Sequence, residues 1–142
     1  MALCTNCNRS SSYISHCTTN ELGQHHSFDD MPAIVFKNKS KSWFKNGYFH
    51  RENGPSFEGQ NGYREWRQNG KRHRLDGPAV AWCDGTNSWY LNDEKPLEVK
   101  NQNIVGNSIV VGKDIAIVIR CVEGVFYEAL LGNKKILIVK VS

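Results

Sequence analysis

The chain has 142 residues, 39% of them hydrophobic and 11% aromatic, with twelve glycines and four prolines, a composition that excludes a disordered chain and favours many short strands over long helices. Its net charge of +4 conceals an asymmetry, because residues 37–74 carry Lys37, Lys39, Lys41, Lys45, Arg51, Arg64, Arg67, Lys71, Arg72 and Arg74 against Glu52, Glu58 and Glu65, a balance of +7 that leaves −3 for the rest. The longest apolar run, Ile115 to Ile119, falls far short of the roughly 18 residues of a spanning helix, so membrane insertion is not expected.

The first segment, residues 1–28, is polar and rich in cysteine and histidine. Its opening, Met-Ala-Leu-Cys-Thr-Asn-Cys, has neither a basic n-region nor an apolar h-region. A cytoplasmic location is therefore expected, in the protein's own cell or in a host cell. In a reducing compartment the five cysteines should be thiols or metal ligands. Cys4 and Cys7 have the two-residue gap of a zinc knuckle, and Cys17 with one of His16, His25 or His26 completes a tetrahedral set. The set Cys4, Cys7, Cys17 and His26 is the one taken here, with a single structural zinc supplying the stabilisation that so polar a segment cannot gain by burial. The alternative is a frayed tail with incidental cysteines.

The middle, residues 29–93, repeats itself every 23 residues. Trp43, Trp66 and Trp89 lie at that spacing, and each precedes an Asn-led corner: Asn46-Gly47, Asn69-Gly70 and Asn92-Asp93. His50-Arg51 and His73-Arg74 follow, then Asn53-Gly54-Pro55 and Asp76-Gly77-Pro78. A degraded unit comes first, with Asp30 and Pro32-Ala33 in register and Ser27 in the place of the histidine. Each unit reads as a β-hairpin, for example Ala79-Val80-Ala81-Trp82, a corner at Asp84-Gly85, and the returning Ser88-Trp89-Tyr90-Leu91. Asn-Gly and Asp-Gly supply the positive φ angles of tight corners, and Pro after Gly belongs at a strand entrance. One such hairpin buries too little alone, so neighbours must stack, and the tryptophans are expected to form one aromatic ridge.

The pattern Trp-Phe/Tyr-x-Asn-Gly-x-x-His-Arg-x-Asp/Asn-Gly-Pro-Ala resembles the variant MORN-type repeat found in many bacterial and tailed-phage proteins. The likeness is close over Trp43 to Asn92 and looser over Asp30 to Ser42. It implies an antiparallel β-meander used for protein contacts, and a phage accessory or virion-associated protein as its setting. The His-Arg and Gly-Pro pairs depart from the ordinary MORN pattern and speak against lipid binding.

The last segment, residues 101–142, reads as four strands: Ser108–Val111, Asp114–Cys121, Val125–Leu131 and Lys134–Val141. Ile115, Ile117 and Ile119 alternate on one face, while Ile136 to Val139 is apolar throughout and should be covered on both faces. The expected fold is thus all-β: an antiparallel meander of three 23-residue hairpin repeats, followed by a small four-stranded unit that packs on the last repeat and caps the array, or docks on a partner. Residues 93–98 form the boundary.

No G-x-S-x-G, P-loop or H-E-x-x-H pattern occurs, so a non-enzymatic role is expected. The expected binding surface comprises Trp43, Tyr48, His50, Arg51, Trp66, Arg67, His73 and Arg74. Its partner is another protein, from the host or the virion. Nucleic acid is the alternative, through phosphate contacts and base stacking on the basic, aromatic face. The His-Arg pairs also have a structural reading, with arginines on turn carboxylates and histidine rings bonded to the next hairpin's backbone.

Overall fold

The computed structural model of the chain describes residues 2–3, 13–100, 104–105, 108–111, 114–122, 126–131 and 133–141. These residues form strands and no helix. In chain order the strands are β1 (Ala2–Leu3), β2 (Ile14–Thr19), β3 (Ile34–Phe36), β4 (Lys41–Ser42), β5 (Phe44–Lys45), β6 (Tyr48–Phe49), β7 (Phe57–Glu58), β8 (Arg64–Glu65) and β9 (Arg67–Gln68). They continue with β10 (Lys71–Arg72), β11 (Val80–Ala81), β12 (Asn87–Ser88), β13 (Leu97–Lys100), β14 (Ile104–Val105), β15 (Ser108–Val111), β16 (Asp114–Val122), β17 (Phe126–Leu131) and β18 (Lys134–Val141). The fold is all-β, as the sequence led us to expect.

Two kinds of corner, each recurring at 23 residues, fold the middle of the chain. In the first, Asn46-Gly47 (φ 50 and 83) and Asn69-Gly70 (φ 49 and 81) place two successive residues in the left-handed region. That geometry matches the right-handed twist of the strands it joins, β5 to β6 and β9 to β10. Asn92-Asp93 adopts the same pair of angles, 54 and 68, without glycine. In the second, Asn38, Asn61 and Asp84 each accept a hydrogen bond from the backbone N–H two residues on, at 3.0, 3.1 and 2.9 Å. The intervening Lys39, Gly62 and Gly85 have φ of 67, 92 and 86. These corners join β3 to β4, β7 to β8 and β11 to β12.

The second set of hairpins assembles one antiparallel sheet in the order β1-β2-β3-β4-β7-β8-β11-β12. Its register puts Cys17, Ile34, Ser42, Phe57, Glu65, Val80 and Ser88 in one row across the sheet. Cys17, Ile34, Ser42 and Val80 in that row are buried. The row on the opposite face runs His16, Val35, Lys41, Glu58, Arg64, Ala81 and Asn87, with His16, Lys41, Arg64 and Asn87 exposed. One face is therefore packed and one is wet. Ala33, Ser56 and Ala79, at 23-residue spacing, have no exposed surface at all. Their carbonyls accept backbone N–H groups from Thr18, Trp43 and Trp66 in turn, at 2.7, 2.8 and 2.8 Å.

The segment 14–19, expected as part of a metal-held or frayed tail, is a strand of this sheet, paired with β3 and buried at Cys17, Thr18 and Thr19. Its β-branched Ile14, Thr18 and Thr19 suit a pleated surface, and Thr18 Oγ1 donates to the His26 carbonyl at 2.7 Å.

The C-terminal sheet has the order β13-β18-β17-β16-β15-β14. All four expected strands are present, and two more join them. β13, which begins within the stretch read as a boundary and runs beyond it, pairs in parallel with β18, and β14 extends the other edge. Ile138 and Val139, neighbours that face opposite sides of β18, both have no exposed surface, so that strand is covered on both faces. The side chains of Ile115, Ile117 and Ile119 lie outside the described residues. Trp89, just after β12, meets Phe126 of β17 edge to face, with ring centroids 6.0 Å apart at 74°.

Candidate functional site

The His-Arg-x-Asp/Asn-Gly-Pro motif builds a layered cradle. The Arg51 guanidinium lies over the Trp43 ring, 3.8 Å from its centroid, and the Arg74 guanidinium lies over Trp66 at 4.0 Å. On the other side of each guanidinium sits the motif glycine. A Cβ on Gly54 would lie 3.1 Å from Arg51 Nη1, and one on Gly77 would lie 2.8 Å from Arg74 Cζ. Neither glycine has a positive φ. Sequence reasoning assigned motif glycines to left-handed corners; at these two positions the requirement is room for a stacked arginine. The motif prolines complete the layer, accepting from Nη1 of Arg51 and Arg74 on the Pro55 and Pro78 carbonyls, both at 3.3 Å.

The histidines join one unit to the next. His50 Nδ1 accepts a hydrogen bond from the Asn69 backbone N–H at 3.0 Å, which places the neutral ring's proton on Nε2. His73 Nδ1 meets Asn92 Oδ1 at 2.8 Å. In the degraded first unit His26, one residue before Ser27, meets Asn46 Oδ1 at 2.9 Å, while Ser27 Oγ accepts from the Phe44 N–H at 3.1 Å. The histidines thus bind the Asn of the following Asn-led corner, which supports the structural reading of the pairs.

The carboxylate partners differ between units. Arg51 forms a two-pronged pair with Asp30, Nε to Oδ1 and Nη2 to Oδ2 both at 2.9 Å, and Nη1 also reaches Glu58 Oε1 at 3.3 Å. That hydrogen bonding holds the Asp30 carboxyl below the usual carboxylate range. Arg74 instead reaches its own loop's Asp76, through Nε alone at 2.7 Å. Glu52, the turn carboxylate next to Arg51 in sequence, lies 3.7 Å from His50 Nε2 and 3.9 Å from Lys45. Arg67 is held by Glu65 at 2.7 Å and by the Gly70 carbonyl at 2.7 Å, and Arg72 stacks on Tyr90 at 3.9 Å while paired with Asp93 at 2.9 Å.

Two hollows one repeat apart open beside these layers. The first, about 250 Å³, is lined by Asp30, Trp43, His50 and Arg51 among others. The second, about 510 Å³, is lined by Asn53, Trp66, His73, Arg74 and Asp76 among others.

Of the eight residues expected to form a binding surface, Trp43 is only 4% exposed, and His50, Arg51, Trp66, Arg67, His73 and Arg74 are half-buried in the contacts just described. Tyr48 alone stands well out, at 63%, leaning over Gly70 of the next corner. The expected ridge of Trp43, Trp66 and Trp89 does not form, because an arginine covers each of the first two indoles and Trp89 turns to Phe126. A different ladder crosses the repeats: Phe36 to Phe57 at 6.4 Å, Phe57 to Tyr63 at 5.9 Å, and Tyr63 to Trp82 at 5.1 Å, ending on a 47% exposed indole. Its signal was the two-residue alternation about the Asn61-Gly62 and Asp84-Gly85 corners. Tyr63 OH donates to Glu65 Oε2 at 3.2 Å, and burial together with that carboxylate pushes its pKa up to about 12.

Of the four residues assigned to zinc, Cys4 and Cys7 lie outside the described residues. The His26 ring is bonded to Asn46, and Cys17 is disulfide-bonded, so the expectation that every cysteine is a thiol or ligand fails there. A zinc ion on this set requires Cys17 to be reduced. Among the described residues no three His, Cys, Asp or Glu side chains converge as a metal site, and no helix is long and apolar enough to cross a membrane. Compared with models of protein families, with curated proteins and with solved structures, the chain matches none.

Proposed function

We propose that the chain is a non-enzymatic protein-binding module built on variant MORN-like repeats. One observation carries this reading: the strongest cations of the basic segment are engaged internally, whereas aromatic side chains remain outside. Arg51, Arg67 and Arg72 each lie over a ring and pair with a carboxylate. These three are neutralised and offer phosphates little, while Arg74, over Trp66, keeps a single oxygen of the exposed Asp76. Tyr48 and Trp82 stay exposed, and exposed aromatics with polar surroundings are the residues that protein interfaces favour. In this reading Trp82, at the end of its ladder, and Tyr48 replace the buried indoles as contact residues.

Nucleic acid is the second reading, because Lys37, Lys39, Lys41, Arg64 and Lys71 have no ion-pair partner among the described residues. Capture from cells that express the chain, washed at about 0.5 M salt, separates the two. A protein that stays bound through that wash, and is lost with Trp82→Ser, supports the module. Retention on heparin together with recovered nucleic acid that falls away steeply with salt would replace it with the second reading.

A further inference from the structure

The two cradles are copies of one design, and only one of them is filled. Around Arg51, two carboxylates close the guanidinium: Asp30 by both oxygens at 2.9 Å, and Glu58 at 3.3 Å. Moving 23 residues along the chain turns Arg51 into Arg74, Asp30 into Asn53 and Glu58 into Ala81. Both anionic partners are thus replaced by neutral side chains, while the Trp66 ring, the glycine at 77 and the Pro78 carbonyl keep the guanidinium in the same pose. Arg74 retains one carboxylate oxygen, from an Asp76 whose side chain is 83% exposed, and its Nη2 makes no hydrogen bond among the described residues. The hollow at this cradle is about twice the size of its counterpart, 510 against 250 Å³.

We infer that the cradle of Trp66, Arg74 and Asn53 receives a carboxylate from an acidic segment of a partner protein, in the place that Asp30 takes against Arg51. A planar guanidinium fixed by stacking presents its Nε and Nη2 edge without further loss of side-chain freedom, and that edge matches a carboxylate in two-pronged fashion. Asn53, at the repeat position of Asp30, lines the hollow, and Asp76, mostly in solvent, rotates away as the incoming carboxylate takes Nε. His73, held by Asn92, walls the hollow. This inference rests on the protein-binding reading and specifies its chemistry.

The filled cradle supplies the test. In Asn53→Asp the chain carries its own carboxylate at the Asp30 position, so the second cradle should close. The full chain would be titrated with a fluorescein-labelled peptide of alternating Asp and Gly, followed by polarisation at low salt. Wild type should bind, Asn53→Asp should bind at least about ten-fold more weakly, as expected for loss of a charge-assisted pair, and its melting temperature should rise. Asp30→Asn, which opens the first cradle, should strengthen the total binding. Inorganic phosphate at matched ionic strength should compete poorly. Equal binding by wild type and Asn53→Asp, absence of binding by wild type, or phosphate competing better than the peptide would each overturn the inference. If the cellular partner is still captured by Asn53→Asp as well as by wild type, the cradle is refuted while the module stands.

Discussion

Gly77→Ala isolates the steric role of the motif glycine. At most positions with an ordinary backbone, Gly to Ala stabilises a protein by about 0.4–1 kcal/mol through the unfolded chain. Gly77 has no positive φ, so no backbone strain opposes the change. The obstacle is Arg74: the new methyl would stand 2.8 Å from Cζ, 3.0 Å from Nε and 3.1 Å from Nη1. The guanidinium must then leave the Trp66 ring. That forfeits a cation–π contact worth about 0.5–2 kcal/mol, the bond to the Pro78 carbonyl worth about 0.5–1.5, and an exposed ion pair worth at most about 1. Set against the entropic gain, these terms leave a net destabilisation of up to about 4 kcal/mol with a midpoint of about 2, or a fall of roughly 6 °C in melting temperature. Denaturant unfolding followed by circular dichroism measures it. In an Arg74→Ala background the same substitution should be neutral or slightly stabilising. A cost that is equal in both backgrounds, or absent in the first, would refute the stacked-arginine account.

Other outcomes follow from the same geometry. Trp43→Ala removes a 4% exposed indole whose Nε1 donates to the Asp30 carbonyl at 2.8 Å and should cost about 3–5 kcal/mol, whereas Trp82→Ala should cost under about 1 in the same unfolding experiment. Asp30, Asp76 and Asp93 are each held below the usual carboxylate range by hydrogen bonds from Arg51, Arg74 and Arg72. Their folded values being depressed, the stabilisation is complete above the unfolded value of about 4 and is lost as pH falls through the folded values. The melting temperature should therefore drop below about pH 4, and Asp30→Asn should make that acid limb shallower; an unchanged limb would dismiss the Arg51 pair as a contributor. Without reductant, alkylation followed by mass mapping should label the exposed Cys83 and spare Cys17, and rapid labelling of Cys17 would contradict its disulfide. Metal analysis of reduced protein tests the zinc assignment, for which about one zinc per chain is expected and none would remove it.

Much of the fold was legible because the corners are local. Asn46-Gly47, Asn69-Gly70, Asn61-Gly62 and Asp84-Gly85 announce positive φ within a few residues, and the 23-residue spacing carries the rest of the register. The returning strands of the last sheet were equally local. The site was less legible, since its contacts depend on which side chain lies over which. Nothing in the spacing of Trp43 and Trp66 says that a guanidinium, and not another indole, covers each ring. Gly54 and Gly77 look like corner glycines until the arginine beside them is seen. The role of His26 was hidden by one residue of slippage, with Ser27 in the repeat position and the ring function passed to its neighbour. β2 was missed because a polar segment with three cysteines and histidines drew a metal reading, although Ile14, Thr18 and Thr19 already suited a strand.

The repeated arginines Arg51 and Arg74 are architectural, each clamped between an indole and a glycine. Side-chain NMR of Arg51 and Arg74 measures this clamping directly. Their δ-methylene and Nε–H resonances should be shifted upfield by the Trp43 and Trp66 ring currents, and each should revert to an ordinary position when its own tryptophan is replaced by leucine. Two arginines resonating at solvent-exposed values in the native chain would contradict the account.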